Sequence, residues 1–182
     1  MRFNFSEVSS NVNEVERSFK LHCCSKLRDF VFKYEDLLGK EIWDVLDEEI
    51  QQDPGAFLSA INSYASRKGN LPIYLLIDEY DNFTNTILST YGTEYYQKAT
   101  HGEGFVRGFF NVIKAATTGT GSALQRMFIT GVSPVTMDDV TSGFNIGTNI
   151  TTDPWFNDLV GFSEAELREM LTYYKEQGVL MQ

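Results

Sequence analysis

The residues best suited to chemistry lie together in Tyr74-Leu75-Leu76-Ile77-Asp78-Glu79. An unbroken apolar run, the pattern of a strand buried on both faces of a parallel sheet, leads directly into two carboxylates. Ligands of such sheets sit beyond the carboxyl ends of the strands. A carboxylate placed there can hold Mg²⁺, usually through water, opposite a triphosphate. The next carboxylate can orient and deprotonate an attacking water. Asp78 suits the first role and Glu79 the second. The plainer alternative is a strand that simply ends in acidic turn residues.

Asp78 and Glu79 thus form the pattern of a Walker B pair. A second strand, Arg126–Thr130, runs into Gly131-Val132-Ser133. A hydroxyl at the end of the strand beside Walker B can hydrogen-bond the attacking water or the γ-phosphate, and Thr130 or Ser133 is placed for that sensor role. The alternative is a strand-to-loop turn in which Gly131 takes an unusual backbone conformation. Asp81 is a candidate metal support, or a helix or turn cap.

The phosphate-gripping half of such a site is missing from these residues. A phosphate loop needs Gly, four residues, then Gly-Lys-Ser/Thr. Gly39-Lys40 is followed by Glu41 and closes a helix, and Gly119-Thr120-Gly121-Ser122 has no lysine. Without the backbone N–H donors and the lysine, tight nucleotide binding by this chain alone is not expected. A metal-dependent nuclease built on Asp78, Glu79 and Asp81 would need a following catalytic lysine, and none is present.

The elements that must position these residues alternate strand and helix. Arg2–Ser6 reads as a short strand. Val15, Phe19, Cys23, Leu27, Phe30, Val31, Tyr34, Leu37 and Leu38 mark one long helix that stops at Gly39. A second helix is predicted over Ile42–Gln51. Asp53 and Pro54 open a third helix as N-cap and first position, and Gly69 closes it. Asn82–Glu103 reads as a partly helical excursion or a loop, and Phe105–Thr117 as a helix. Ser163-Glu164-Ala165-Glu166 is a capping box that opens a last helix over about 164–177. The expected fold is α/β, a parallel sheet flanked by helices, in one domain over 1–182.

Bulk properties narrow the partners. The chain has 182 residues, is 42% hydrophobic, and contains 14 Phe and 9 Tyr, a globular composition. Fifteen Lys+Arg against 25 Asp+Glu give a net charge of −10, which repels nucleic acid and anionic membrane surfaces. No apolar run approaches the roughly 20 residues of a membrane helix, and Met1–Ser10 lacks the order of a signal peptide. The expected location is cytoplasmic. Adjacent Cys23 and Cys24, beside His22, lack metal-ligand spacing and suit a reduced, structural role.

Several stretches together resemble the predicted AAA-ATPase-like family of bacteria. Leu76-Ile77-Asp78-Glu79-Tyr80-Asp81 is similar to its LIDEYD signature. Arg2–Ser6, Phe105–Lys114, Phe128–Ser133, Asp153–Phe156 and Gly161–Leu167 are similar to further family segments in the same order. The resemblance implies a three-layer P-loop NTPase-like (AAA/ASCE) fold that binds and hydrolyses ATP with Mg²⁺. In it, Asp78 is the magnesium position, Glu79 the water-activating residue, and Thr130 or Ser133 the sensor. Family members begin with a phosphate-loop strand and helix and often end in a PD-(D/E)XK nuclease-like domain. This chain is therefore expected to be a partial core, ATPase in the intact protein and inactive alone. The alternative is a non-catalytic interaction domain on the same fold. The expected strand order is Arg2–Ser6, Ile73–Ile77, Arg126–Thr130, with a further strand from Thr148–Thr152 or Asp158–Phe162. The last core strand would have an open apolar edge, which invites self-association.

Overall fold

The computed structural model describes residues 1–69, 71–119, 121–132, 147–157, 159 and 161–178. The chain divides into two compact units, Met1–Ile146 and Gly147–Gln182.

The first unit is α/β. Three strands, β1 (Arg2–Asn4), β2 (Ile73–Asp78) and β3 (Leu124–Ile129), form a parallel sheet in the order β1-β2-β3. This is the sheet order read from sequence. In register, Asn4 lies beside Asp78, Leu76 beside Phe128, and Ile77 beside Ile129. β1 is shorter than its sequence reading, because Phe5–Glu7 turns into a 3-10 helix that Asn4 caps through Ser6 N–H.

Helix α1 (Val15–Lys33) buries Val15, Phe19, Cys23, Leu27 and Val31 on one stripe. The expected continuous helix breaks at Tyr34, which leaves the helical region and lays its ring on Phe30. It resumes as α2 (Glu35–Leu38) and stops at Gly39, whose φ of 84° suits glycine. The predicted helix over Ile42–Gln51 is instead α3 (Ile42–Val45) followed by a separate 3-10 turn, Ile50–Gln52. Asp47 divides them by accepting the Ile50 N–H at 2.8 Å, a local side-chain bond that competes with helix. Helix α4 (Pro54–Arg67) begins as its sequence implies, with Asp53 accepting the Ala56 N–H at 2.7 Å. The excursion after β2 is largely helical, as α5 (Asn82–Tyr91) and α6 (Thr93–Thr100) joined at Gly92, and a turn at 101–103 leads to α7 (Phe105–Thr118).

One face of the sheet carries the core. Phe3, Leu75 and Ile77 point into it and are essentially inaccessible. Phe3, Phe5, Phe19, Phe83, Phe105 and Phe109 form a chain of tilted, edge-to-face and stacked rings with centroids 5.2–6.4 Å apart. This cluster ties β1, α1, α5 and α7 together, and ring geometry adds about 0.5–1.5 kcal/mol per pair to the burial term. The other face departs from the both-faces-buried reading of β2. Tyr74 is 55% exposed, Leu76 46% and Phe128 44%, so β2 alternates buried and exposed positions.

The second unit contains a 3-10 turn, Pro154–Phe156, capped by Asp153, and helix α8 (Glu164–Glu176). Both halves of the capping box form: Ser163 caps the Glu166 N–H, and the Glu166 carboxylate accepts the Ser163 N–H at 2.8 Å. Residues 148–152 are open chain and turn rather than a strand. Asp158 and Val160 lie outside the described residues, and Leu159, Gly161 and Phe162 between and after them form no strand.

Phe19 sits at the junction of four ring contacts. Phe19→Ala is expected to lower stability by about 3–5 kcal/mol, measured by urea denaturation. A loss below about 1 kcal/mol would mean the ring cluster is not the anchor of the fold.

Candidate functional site

The sheet's carboxyl edge is built by a backbone ladder that continues past the end of β3. Thr130 N–H donates to the Ile77 carbonyl at 2.8 Å, and Tyr80 N–H donates to the Thr130 carbonyl at 3.1 Å. These two bonds place the exit of β3 against the Asp78-Glu79-Tyr80-Asp81 turn.

The Thr130 hydroxyl then donates to Asp78 Oδ1 at 2.7 Å. Arg2 Nη2 donates to Asp78 Oδ2 at 3.0 Å. Arg2 stands beside Leu76 in register, one pleat repeat before Asp78 on the same face, so its long side chain reaches the carboxylate. The Thr130 hydroxyl, then Arg2, hold the Asp78 carboxyl below its ordinary range, because both stabilise the ionised form. Asp78 is half-exposed, with 39% of its side chain accessible.

Glu79 has φ +54°, the positive-φ residue other than glycine among those described. This left-handed conformation costs a non-glycine residue energy and persists where surrounding bonds impose it. Here the Tyr80 bond to Thr130 and the Asn82 N–H to the Glu79 carbonyl, 3.1 Å, fix the turn. The Asn82 amide lies 3.5 Å from Glu79 Oε2. Glu79 is therefore turned away from the regular strand path immediately after Asp78.

The structure thus brings Asp78, Glu79 and Thr130 together. Ser133 lies outside the described residues. Asp81 occupies the N-cap position of α5, but its side chain accepts no capping bond from that helix, which corrects the capping alternative. The two candidate glycine loops stand at the other end of the sheet. Gly119, Gly121 and Ser122 precede β3, and Gly39 follows Leu38, which lines a cleft with Met1, Pro72 and Ile73 at the strands' amino ends. Neither faces Asp78. Of Tyr91, Tyr95 and Tyr96 on α5 and α6, Tyr96 is buried while Tyr91 and Tyr95 pack on each other at 6.0 Å and remain exposed. Cys23 and Cys24 are free and buried, and burial raises both thiols, Cys24 to about 11. Sequence reasoning missed Arg2 because its relevance depends on strand register.

Among the described residues no three His, Cys, Asp or Glu side chains converge as a metal cage. Mg²⁺ needs none, since it keeps waters and takes one or two carboxylates plus phosphate oxygens. A half-exposed carboxylate with its other oxygen fixed by a hydroxyl fits that requirement. No helix among the described residues is long and apolar enough to cross a membrane.

The first unit is thus an α/β fold built on a three-stranded parallel sheet. The sequence profile of the predicted AAA-ATPase family, AAA-ATPase-like, matches residues 1–141, and the chain belongs to that family. Comparison with curated proteins and with solved structures gives no significant match.

Thr130→Val removes the hydroxyl but keeps the shape. The Asp78 carboxyl is expected to titrate higher in the variant, followed by carbon-detected NMR. The sign follows from linkage: a lowered native value stabilises the fold above the ordinary carboxylate range and stops doing so as pH falls through that lowered value. The variant's stability deficit should therefore be full at neutral pH and shrink in acid.

Proposed function

We propose that Asp78, Glu79 and Thr130 form the magnesium-and-water half of an ATPase site. The observation that carries this reading is the Thr130–Asp78 hydrogen bond at the carboxyl edge of two adjacent parallel strands. Asp78 is the residue that would hold Mg²⁺, whose contribution when bound is to neutralise charge on the phosphate oxygens. Thr130 orients the Asp78 carboxylate and keeps it ionised. Glu79, set just beyond the strand by its left-handed backbone, is placed to accept a proton from water at the same edge. Ser133, three residues on in sequence, is the alternative sensor. ATP is the proposed nucleotide, and a cytoplasmic setting suits two free, buried thiols.

Arg2 occupies the Asp78 oxygen that a metal or its water would approach. It acts as a counter-charge at the site until a cation replaces it. No Gly-x4-Gly-Lys-Ser/Thr occurs among the 182 residues, so phosphate gripping must come from elsewhere for turnover.

The isolated chain is expected to show no saturable ATP binding at millimolar nucleotide by calorimetry. Mn²⁺, a paramagnetic substitute for Mg²⁺, should broaden the amide resonances of Asp78, Glu79 and Thr130 first. Asp78→Asn should remove that broadening and Arg2→Met should enhance it. Micromolar ATP binding abolished by Asp78→Ala would overturn the half-site reading. Broadening that ignores Asp78 would overturn the metal assignment.

A second reading, a non-catalytic interaction domain, draws on a different observation. Tyr74, Leu76 and Phe128 are exposed on one sheet face, beside β3, which pairs only with β2 among the described residues. On this reading the chain self-associates through that sheet. Light scattering should give a mass rising above 20.7 kDa with concentration, and Phe128→Lys should return it to the monomer value. A monomer at every concentration excludes this route.

A further inference from the structure

Asp81 is fully buried and standard helix logic does not account for it. Both carboxylate oxygens turn away from the α5 backbone and toward the exit of β3. Val132 N–H donates to Oδ1 and Oδ2, each at 3.1 Å. The Asn85 side-chain amide, one turn along α5, donates to Oδ2 at 2.8 Å. The Asp81 carbonyl meanwhile accepts the Thr84 hydroxyl at 2.9 Å and the Asn85 N–H at 2.8 Å. The backbone of the residue therefore bonds to α5, and its side chain bridges Asn85 of α5 and the β3 exit.

Gly131 makes this approach possible. A Cβ there would run into the Tyr80 ring and lie 2.5 Å from Asp81 Oδ1. Tyr80 is itself buried, so the ring has little room to yield. Thr130, Gly131 and Val132 are thus held to the acidic turn at three successive points. These are the ladder bonds of Thr130, the ring contact over Gly131, and the carboxylate on Val132.

We propose that Asp81 is a positioning residue, which seats the β3 exit against the acidic turn and thereby keeps the Thr130 hydroxyl on Asp78. The physical reason is reach. The Thr130–Asp78 bond is 2.7 Å long, and hydroxyl bonds are confined to about 2.5–3.0 Å and weaken steeply once their angle closes below about 120°. Thr130 is the last residue held by the β2 ladder, and Val132 follows it by two. Releasing Val132 lets the chain swing about Gly131 and lengthens the Thr130 contact. The functional weight of the proposal rests on the metal reading of Asp78, while its geometry stands without it.

Two measurements test it. Native-state amide exchange is compared in the parent chain and in Asp81→Asn, which retains the shape but offers Val132 a single acceptor oxygen. Protection of the Val132 and Thr130 amides should fall about tenfold, the scale of one hydrogen bond. Protection of Leu75 and Ile77 in the core strand should stay unchanged. Unaltered protection at Val132, or an equal fall in the core strand, overturns the proposal. Val132→Pro deletes the donor without touching Asp81; it must loosen Thr130 in the same way, and it decides the matter if Asp81→Asn does not fold.

The second measurement is a double-mutant cycle on Mn²⁺ binding at Asp78. Asp81→Asn and Thr130→Val should each weaken binding about tenfold, the usual cost of losing a group that orients a ligand. Together they should weaken it no further, because Asp81 acts through Thr130. Independent, multiplying effects overturn the proposal. Absence of Mn²⁺ binding at Asp78 in the parent chain would sink the metal reading alone, and the exchange experiment would still decide the clamp.

Discussion

The constraint on which this site depends is the parallel pairing of β2 with the exit of β3. Two backbone bonds beyond the last regular strand residue, Thr130 N–H to Ile77 and Tyr80 N–H to Thr130, carry the ladder into the turns. Everything chemical at the edge is positioned from there. The Thr130 hydroxyl reaches Asp78 because the two strands end level with one another. Glu79 is forced into the left-handed region because the turn must return Tyr80 to the ladder within two residues of Asp78. A one-residue slip between β2 and β3 would put each side chain on the opposite face and dissolve the site at once.

That pairing is held from one side. The ring cluster of Phe3, Phe5, Phe19, Phe83, Phe105 and Phe109 fills the space between the sheet and helices α1, α5 and α7. It anchors β1 through Phe3 and the start of α5 through Phe83, the two elements that flank the acidic turn. Burial of rings at both ends explains how a strand of three residues, β1, can keep Arg2 in register with Leu76. Among the described residues the opposite face, with Tyr74, Leu76 and Phe128, has no comparable cover.

Local rules are broken where the acidic edge is made. A glutamate takes a positive φ, a residue at an N-cap position declines to cap, and a glycine is needed because a ring and a carboxylate fill the place of its side chain. Such departures concentrate where surrounding structure over-determines the backbone, and they cluster at functional sites. Here all three fall within four residues of Asp78 or on the strand exit bonded to it.

The amino-acid pattern alone determined the three core strands, the core stripe of α1, the caps at Asp53 and Ser163, and the pairing of Asp78 with Glu79 in one motif, while the strand order followed from the family resemblance. These are local signals: periodicity, turn chemistry and capping act within a few residues, and an apolar run ending in carboxylates is legible by itself. Tertiary structure decided the rest. Arg2 meets Asp78 across 76 residues, Asp81 meets Val132 across 51, and both depend on register and loop path, which no local pattern encodes. The break of α1 at Tyr34 and the splitting of Ile42–Gln51 by Asp47 likewise reflect side chains choosing partners over helical continuity. One-sided burial of β2 was hidden for the same reason: Tyr74 and Leu76 read as core by composition, and only the placement of the helices decides which face they cover.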